Sequence, residues 1–178
     1  MITTDPQNEQ LTETDSSNKI IGPISRKIAH NSPEKYYRTI YILVFNDRNE
    51  ILLQKRSSTK DLYPDCWDLS VGGHVDYNST YEATAIKELE EELGIKTTNE
   101  KLILLGEVLV KLPQSNEFFN VYKYQLETDD KLKLSNEEIS GIRWMSLADI
   151  KDSMRNSTLK WYPRPLQVIN SLEESNGL

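Results

Sequence analysis

The pattern of apolar positions predicts a series of short strands. The run at 37–46 is rich in aromatic and β-branched residues, and a second apolar run resumes at 51–54 after an Asn-Asp-Arg-Asn turn. These two runs predict a hairpin. Other apolar runs bounded by turn residues predict strands within 19–26 and at 68–71, 102–111, 117–126 and 138–145.

The spacing of apolar residues changes after the strand at 68–71 and predicts a helix of about four turns. Asn78 or Ser79 can cap its N-terminus, and Ser79 and Glu82 have the spacing of a capping box. Gly94 is placed to adopt the left-handed conformation that ends a helix. Two later helices are predicted at 147–154 and 161–172. Strands and helices in this order predict an α/β protein in which helices sandwich a mixed sheet.

The first of these helices carries an acidic stripe beside an apolar one. Glu88, Glu91 and Glu92 fall within one sector, apart from the apolar residues that can face a core. Like charges at this spacing oppose one another by roughly 0.2–0.5 kcal/mol per pair. The macrodipole disfavours an anion in the last turn by about 0.3–1 kcal/mol. A bound cation would reverse both penalties, whereas a solvated charged face is the simpler interpretation.

Length and composition predict one domain. The stretch 1–18 is mostly Thr, Asp, Gln, Asn and Glu, so it is predicted to be a disordered polar tail. The remainder, 19–178, is predicted to form a single domain, because 178 residues suit one hydrophobic core.

Charge and cysteine content limit the partners. The net charge is −7 and the 21 basic residues are dispersed, so no nucleic-acid surface is predicted. No apolar run approaches the ~18 residues of a membrane span, so none is predicted. Cys66 is the only cysteine, which rules out an intrachain disulfide and a cysteine-cluster zinc site and favours a cytoplasmic protein. Cys66 is expected to be a packed residue, His30 a solvated loop residue and His74 a turn residue.

The segment 71–95 reads VGGHVDYNSTYEATAIKELEEELGI. It resembles the Nudix box, G-x5-E-x7-R-E-U-x-E-E-x-G-U, where U is a bulky aliphatic residue. Ser79 replaces the first Glu of the pattern, and Lys87 replaces its Arg and so lacks the planar guanidinium fork. The matching positions are Gly73, Glu88, Leu89, Glu91, Glu92, Gly94 and Ile95.

This resemblance implies the α/β/α Nudix fold over the core 36–169. It also implies that Glu88, Glu91 and Glu92 hold Mg²⁺ or Mn²⁺, hard cations that favour carboxylate oxygens, with the Gly73 carbonyl as a further ligand. A metal-bound water would then attack phosphorus. Glu88 is the first candidate for the catalytic base and Glu138 the second, although Glu138 can also be an ordinary loop acid.

A second resemblance concerns QKRSSTKDLYPDCWDLSVGGH, which is similar to the Nudix subgroup that includes type I isopentenyl-diphosphate isomerase. It implies that Arg56 and Lys60 contact a diphosphate, while a solvated basic turn is the alternative. The isomerase cysteine is missing, because Val71 and Gly72 occupy the matching positions. Hydrolysis is therefore favoured over isomerisation.

The sequence thus predicts a Mg²⁺- or Mn²⁺-dependent hydrolase that cleaves a phosphoanhydride bond in a small organic diphosphate. An isopentenyl-diphosphate isomerase-like enzyme is one alternative. A non-catalytic diphosphate-binding module is another, because Ser79 and Lys87 depart from the Nudix box. The organic group of the substrate and the oligomeric state stay open.

Overall fold

The computed structural model describes residues 3, 5–128 and 130–178. Within them, nine strands form one sheet. The strands are Gln10–Thr14 (β1), Ile20–Ser25 (β2), Tyr36–Phe45 (β3), Ile51–Arg56 (β4), Trp67–Leu69 (β5), Val71–His74 (β6), Ile103–Leu112 (β7), Ser115–Gln125 (β8) and Ile139–Met145 (β9). The helices are Arg26–Ala29 (α1), Tyr81–Leu93 (α2), Leu147–Arg155 (α3) and Arg164–Glu174 (α4), and a 3₁₀ turn occupies Asn99–Lys101. Across the described residues, no helix combines the length and apolar character that a bilayer crossing requires.

The strand β3 organises the sheet. It pairs in parallel with β8 from Tyr36–Asn116 to Phe45–Gln125, and it pairs antiparallel with β1, β4 and β6. The sheet is extended by β7, which pairs with β8, and by β5 and β9, which pair with β4. The predicted hairpin of β3 and β4 is therefore confirmed, and the sheet is mixed.

Two hydrophobic cores lie on opposite faces of this sheet. Successive side chains of a strand point to opposite faces, so Ile40 and Ile42 join one core while Tyr41 and Leu43 join the other. The first core is covered by α2 and the second by α3 and α4. Burying an aliphatic or aromatic side chain fully contributes about 1.5–3 kcal/mol, and these four residues are fully buried. The predicted α/β/α arrangement is confirmed.

The prediction of a disordered tail over 1–18 is wrong for much of that stretch. Positions 1, 2 and 4 lie outside the described residues, but β1 pairs with both β2 and β3. Leu11 packs with Ile24, Ala29 and Tyr37 in a small third core. The polar composition was misleading because β1 forms backbone hydrogen bonds with two neighbouring strands and buries Leu11, and these contacts are enough to order it.

The cap of α2 differs from the prediction at one end only. Thr80, rather than Asn78 or Ser79, is the N-cap, and its Oγ1 accepts a hydrogen bond from the Ala83 amide at 3.1 Å. Gly94 adopts φ of 72° at the C-terminus, as predicted. The last helix begins at Arg164 rather than at 161, because residues 160–162 instead form a bridge to β5.

Candidate active site

The acidic stripe of α2 faces inward. Glu92 is 4% exposed, and the side chain of Glu88 is 16% exposed, whereas that of Glu91 is 58% exposed. A solvated charged face is therefore the wrong interpretation for Glu92 and Glu88. Burying carboxylates is costly unless a cation or hydrogen-bond donors accompany them, so this arrangement needs a compensating partner.

Gly73 on β6 makes room for Glu88. The pairing of β6 with β3 places Gly73 opposite Ile40, directly beneath α2. A Cβ atom at Gly73 would lie 2.5 Å from both Cγ and Cδ of Glu88. Any side chain at this position would displace the carboxylate, so the glycine allows Glu88 to lie against the strand.

A cavity of about 190 Å³ lies between α2, β4, β6 and the segment around residues 5–9. All seven residues predicted to bind the metal, to bind the diphosphate or to act as the base line it: Arg56, Lys60, Gly73, Glu88, Glu91, Glu92 and Glu138. They come from four separate stretches of the chain. The structure thus places the predicted metal ligands and the predicted diphosphate ligands at one site.

Side chains of the protein already hold these carboxylates. Gln54 Nε2 donates to Oε2 of Glu92 at 2.9 Å, and Lys60 Nζ donates to Oε2 of Glu138 at 2.5 Å. Lys87 Nζ lies 3.9 Å from Oε1 of Glu88 and also contacts Glu91 and Asp76. Within the described residues, no three acidic, histidine or cysteine side chains converge into a preformed metal-binding group.

The acidic residues nevertheless fit a divalent cation. Burial raises the pKa of Glu88 to about 8, with the charges of Glu91 and Glu138 adding to the rise and Lys87 opposing it. Burial also raises the pKa of Glu92 well above its usual value, and Glu88 and Glu138 add to this effect. The local positive charge therefore does not balance the carboxylates. Oxygen donors from one helix are the type that Mg²⁺ and Mn²⁺ prefer.

The side chains of the two predicted diphosphate ligands are only 8–10% exposed, so a solvated basic turn is the wrong interpretation. Arg56 is 9% exposed, and its Nη2 donates to the Leu62 carbonyl at 2.8 Å. The guanidinium also lies over the Tyr162 ring, 4.9 Å from its centroid. Lys60 is bonded to Glu138 and to Asp5, at 2.5 Å each. Both residues line the cavity, and both are bonded to groups of their own chain.

Sequence reasoning missed a buried network under the cavity. Arg164, at the start of α4, donates to the Tyr41 hydroxyl at 2.5 Å, to Glu117 at 3.1 Å and to Asp68 at 3.2 Å. Its guanidinium lies 4.2 Å from the centroid of the Tyr162 ring. The partners are up to 123 residues apart along the chain, so no local pattern marked this arginine.

A second missed cluster forms the opposite wall. Arg26 bonds to Glu9 at 3.0 Å and to Asp61 at 3.1 Å. The prediction that His30 is a solvated loop residue is wrong, because it is 6% exposed and its Nε2 lies 3.1 Å from Nε2 of His74. His74 ends β6 rather than forming a turn, and burial lowers its pKa to about 4. The ordering of β1 and α1 brings this cluster together.

Comparison with known proteins identifies the family. The model of the NUDIX domain matches residues 35–165, which is most of the chain. The chain belongs to the Nudix family. This Nudix chain is 36% identical over 132 residues to an uncharacterized Nudix hydrolase of Pseudomonas aeruginosa, covering 74% of this chain and 75% of the relative. It is 32% identical over 119 residues to an uncharacterized Nudix hydrolase of Nostoc sp., covering 67% and 70%.

The predicted likeness to the isomerase subgroup is also confirmed. The Nudix chain is 27% identical to an isopentenyl-diphosphate delta-isomerase of Gibberella zeae, over 89% of this chain and 71% of the isomerase. Family membership and the two hydrolase relatives indicate a hydrolase.

Solved structures share the fold. The structure of DR0079 from Deinococcus radiodurans matches with a TM-score of 0.76 and 21% identity, covering 92% of this Nudix chain and 99% of that one. The Nudix domain of Shewanella oneidensis NrtR, solved with ADP ribose, matches with a TM-score of 0.58 and 18% identity, over 78% and 86%. These likenesses concern the fold alone.

Proposed function

We propose that this protein is a Mg²⁺- or Mn²⁺-dependent hydrolase that cleaves the phosphoanhydride bond of a small organic diphosphate. One observation carries the proposal: Glu92 and Glu88 are largely buried on the wall of a cavity that also contains Arg56 and Lys60. Acidic and basic groups in one cavity suit a substrate that arrives with a metal ion and carries a negative charge of its own. The family membership supports the same reaction class.

The roles follow from the positions of the side chains. Glu88, Glu91 and Glu92 would hold the cation, with the Gly73 carbonyl as a further ligand. A bound divalent cation neutralises the charge of the diphosphate and lowers the pKa of a bound water. Arg56 and Lys60 would orient the phosphates by charge-assisted hydrogen bonds. Glu88 is the first candidate for the base, since Glu138 is already bonded to Lys60.

The two departures from the Nudix box are less disruptive than the sequence suggested. Ser79 precedes α2, and its hydroxyl lies 3.3 Å from that of Thr84 rather than on the cavity wall. Lys87 contacts Glu88 and Glu91, so its ammonium can orient the carboxylates despite lacking a guanidinium fork. These contacts favour an active enzyme over a non-catalytic binding module.

A screen of diphosphate compounds with Mg²⁺ tests the proposal. The set should include ADP ribose, which the NrtR Nudix domain binds, and isopentenyl diphosphate. We expect release of a phosphate-containing product from at least one compound and a loss of about 100-fold or more in turnover for Glu88→Gln and Glu92→Gln, because catalytic metal and acid–base groups each contribute factors of this size. Glu90→Gln is the matched control, since Glu90 is an exposed residue of the same helix. Unchanged turnover in both cavity variants would refute the hydrolase.

An isomerase is the second candidate, favoured by the likeness to the Gibberella zeae enzyme. The matching positions hold the buried Val71 and Gly72 instead of a cysteine, and a Cβ atom at Gly72 would lie 2.8 Å from Cε1 of Tyr41. Incubation with isopentenyl diphosphate separates the two reactions. An isomer of unchanged mass would support the isomerase, whereas phosphate release would support the hydrolase.

A further inference from the structure

A carboxylate of the chain itself occupies the basic side of the cavity. Asp5 is 5% exposed, and its Oδ1 accepts from Lys60 Nζ at 2.5 Å and lies 2.9 Å from Arg26 Nη2. Its Oδ2 accepts from the Asp61 amide at 2.8 Å. The Thr3 hydroxyl also donates to Oδ2, at 3.2 Å, so two cations, a backbone N–H and a hydroxyl surround one anion.

We propose that Arg26, Lys60 and the Asp61 amide form a phosphate-binding subsite, and that Asp5 occupies this subsite until a substrate phosphate displaces it. The inference rests on the proposed function, because it concerns the diphosphate of the same reaction. It adds Arg26 to the substrate-binding residues and gives the segment before β1 an autoinhibitory role.

The donors suit a phosphate group. Charge-assisted hydrogen bonds from an arginine, a lysine and a backbone amide are the usual means of holding phosphate oxygens. The three donors approach Asp5 from two elements, Arg26 from α1 and the other two from the loop that follows β4. Glu9 accepts from Nη1 of Arg26, Asp61 accepts from Nε and also from Nη2 at 3.3 Å, and Glu138 accepts from Lys60. The departure of Asp5 would therefore release one donor position on Nη2 and one on Lys60 without disturbing these other ion pairs.

The attachment of Asp5 also suits a displaceable group. The nearest main-chain hydrogen bonds between this segment and α1 run from Lys27 to the Gln7 carbonyl and from Arg26 to the Glu9 carbonyl. Within the described residues, the main chain of Asp5 bonds only to side chains, those of Thr3 and Gln7. Asp5 is therefore held chiefly by its own carboxylate, and an anion of higher charge can compete for the same donors while residues from Gln7 onward stay in place.

Binding of inorganic pyrophosphate, measured by calorimetry with Mg²⁺ present, tests the inference. Asp5→Asn removes the competing charge with little change in shape. If Asp5 fills the subsite nine-tenths of the time, its removal tightens the apparent dissociation constant about tenfold. Glu13→Gln is the matched control, because Glu13 is an acid of β1 that pairs with Lys35 away from the cavity, and it should leave the affinity unchanged. In Asp5→Asn/Lys60→Met the gain should disappear.

Equal or weaker pyrophosphate binding by a folded Asp5→Asn protein would overturn the inference. Amide hydrogen exchange on the unmodified protein provides a second test that needs no variant. Saturating pyrophosphate should speed exchange at the Glu9 amide, which bonds to the Pro6 carbonyl, and unchanged exchange there would also overturn the inference. Both readouts report binding, so an absence of hydrolysis would refute the proposed function without affecting them.

Discussion

The side-chain amide of Gln54 donates a hydrogen bond of 2.9 Å to Oε2 of Glu92, and both residues are buried. Gln54 lies on β4 and Glu92 on the last turn of α2, so the bond joins the sheet to the acidic helix. A carboxylate has two oxygens, and this contact occupies one of them. Gln54 therefore restricts the rotation of a predicted metal ligand without being a ligand itself.

The first prediction concerns this bond. Gln54→Leu removes the donor while keeping the volume similar, which leaves Glu92 buried without its hydrogen-bond partner. We expect the affinity for Mn²⁺, measured by electron paramagnetic resonance, to fall by roughly 10-fold or more, since partners of metal ligands typically contribute 10–100-fold. Gln125→Leu is the control, because the side chain of Gln125 donates to the Phe45 carbonyl and does not line the cavity. Unaltered Mn²⁺ affinity would show that Gln54 has no positioning role.

The second prediction concerns the close approach of Gly73 and Glu88. Gly73→Ala introduces a Cβ that would lie 2.5 Å from Cγ and Cδ of Glu88, so the carboxylate must move. We expect turnover to fall by about 100-fold, because displacement of a catalytic group by an ångström can cost that factor. The matched control is Gly141→Ala on β9, where the nearest atom would be Lys55 Cβ at 3.9 Å, an ordinary contact. Equal turnover in the two variants would contradict this account.

The third prediction concerns pH and the stability of the metal-free protein. Burial raises the pKa of Glu88 to about 8, so the folded state keeps a proton that the unfolded chain, with a pKa of about 4.3, releases. The contribution of Glu88 to stability is complete at low pH and decreases as the pH rises between these two values. Glu88→Gln cannot ionise. In a chelator, the melting temperature of Glu88→Gln minus that of the wild type should therefore increase from pH 5 to pH 8. The increase should be roughly 2–4 °C for each kcal/mol of unfolding free energy that the wild type loses.

Glu90→Gln again serves as the control, because Glu90 is exposed on the same helix and should show no such trend. Addition of Mg²⁺ at pH 8 should raise the melting temperature of the wild type more than that of Glu88→Gln, since a ligand stabilises the state that binds it. A difference between wild type and Glu88→Gln that is constant with pH would contradict the burial of an ionisable Glu88.

Local patterns were enough to predict much of the fold. The apolar run at β3, the left-handed Gly94 and the carboxylates of α2 are each recognisable within a few residues, because strand alternation, helix periodicity and backbone sterics act over short distances. The N-cap at Thr80 was missed because neighbouring residues offered equivalent capping groups. The strand β1 was missed because its partners, rather than its own composition, stabilise it.

The sequence by itself determined which carboxylates share a face of α2 and which family the chain resembles, since both depend on spacing within one segment. Only the tertiary structure decided what those carboxylates contact. Gln54 and Glu92 are 38 residues apart, and Asp5 and Lys60 are 55 apart. Such pairs form when the sheet and its helices pack, and the burial that alters the carboxylate pKa values arises from the same packing. A short stretch of sequence therefore predicts neither the contacts nor the pKa values.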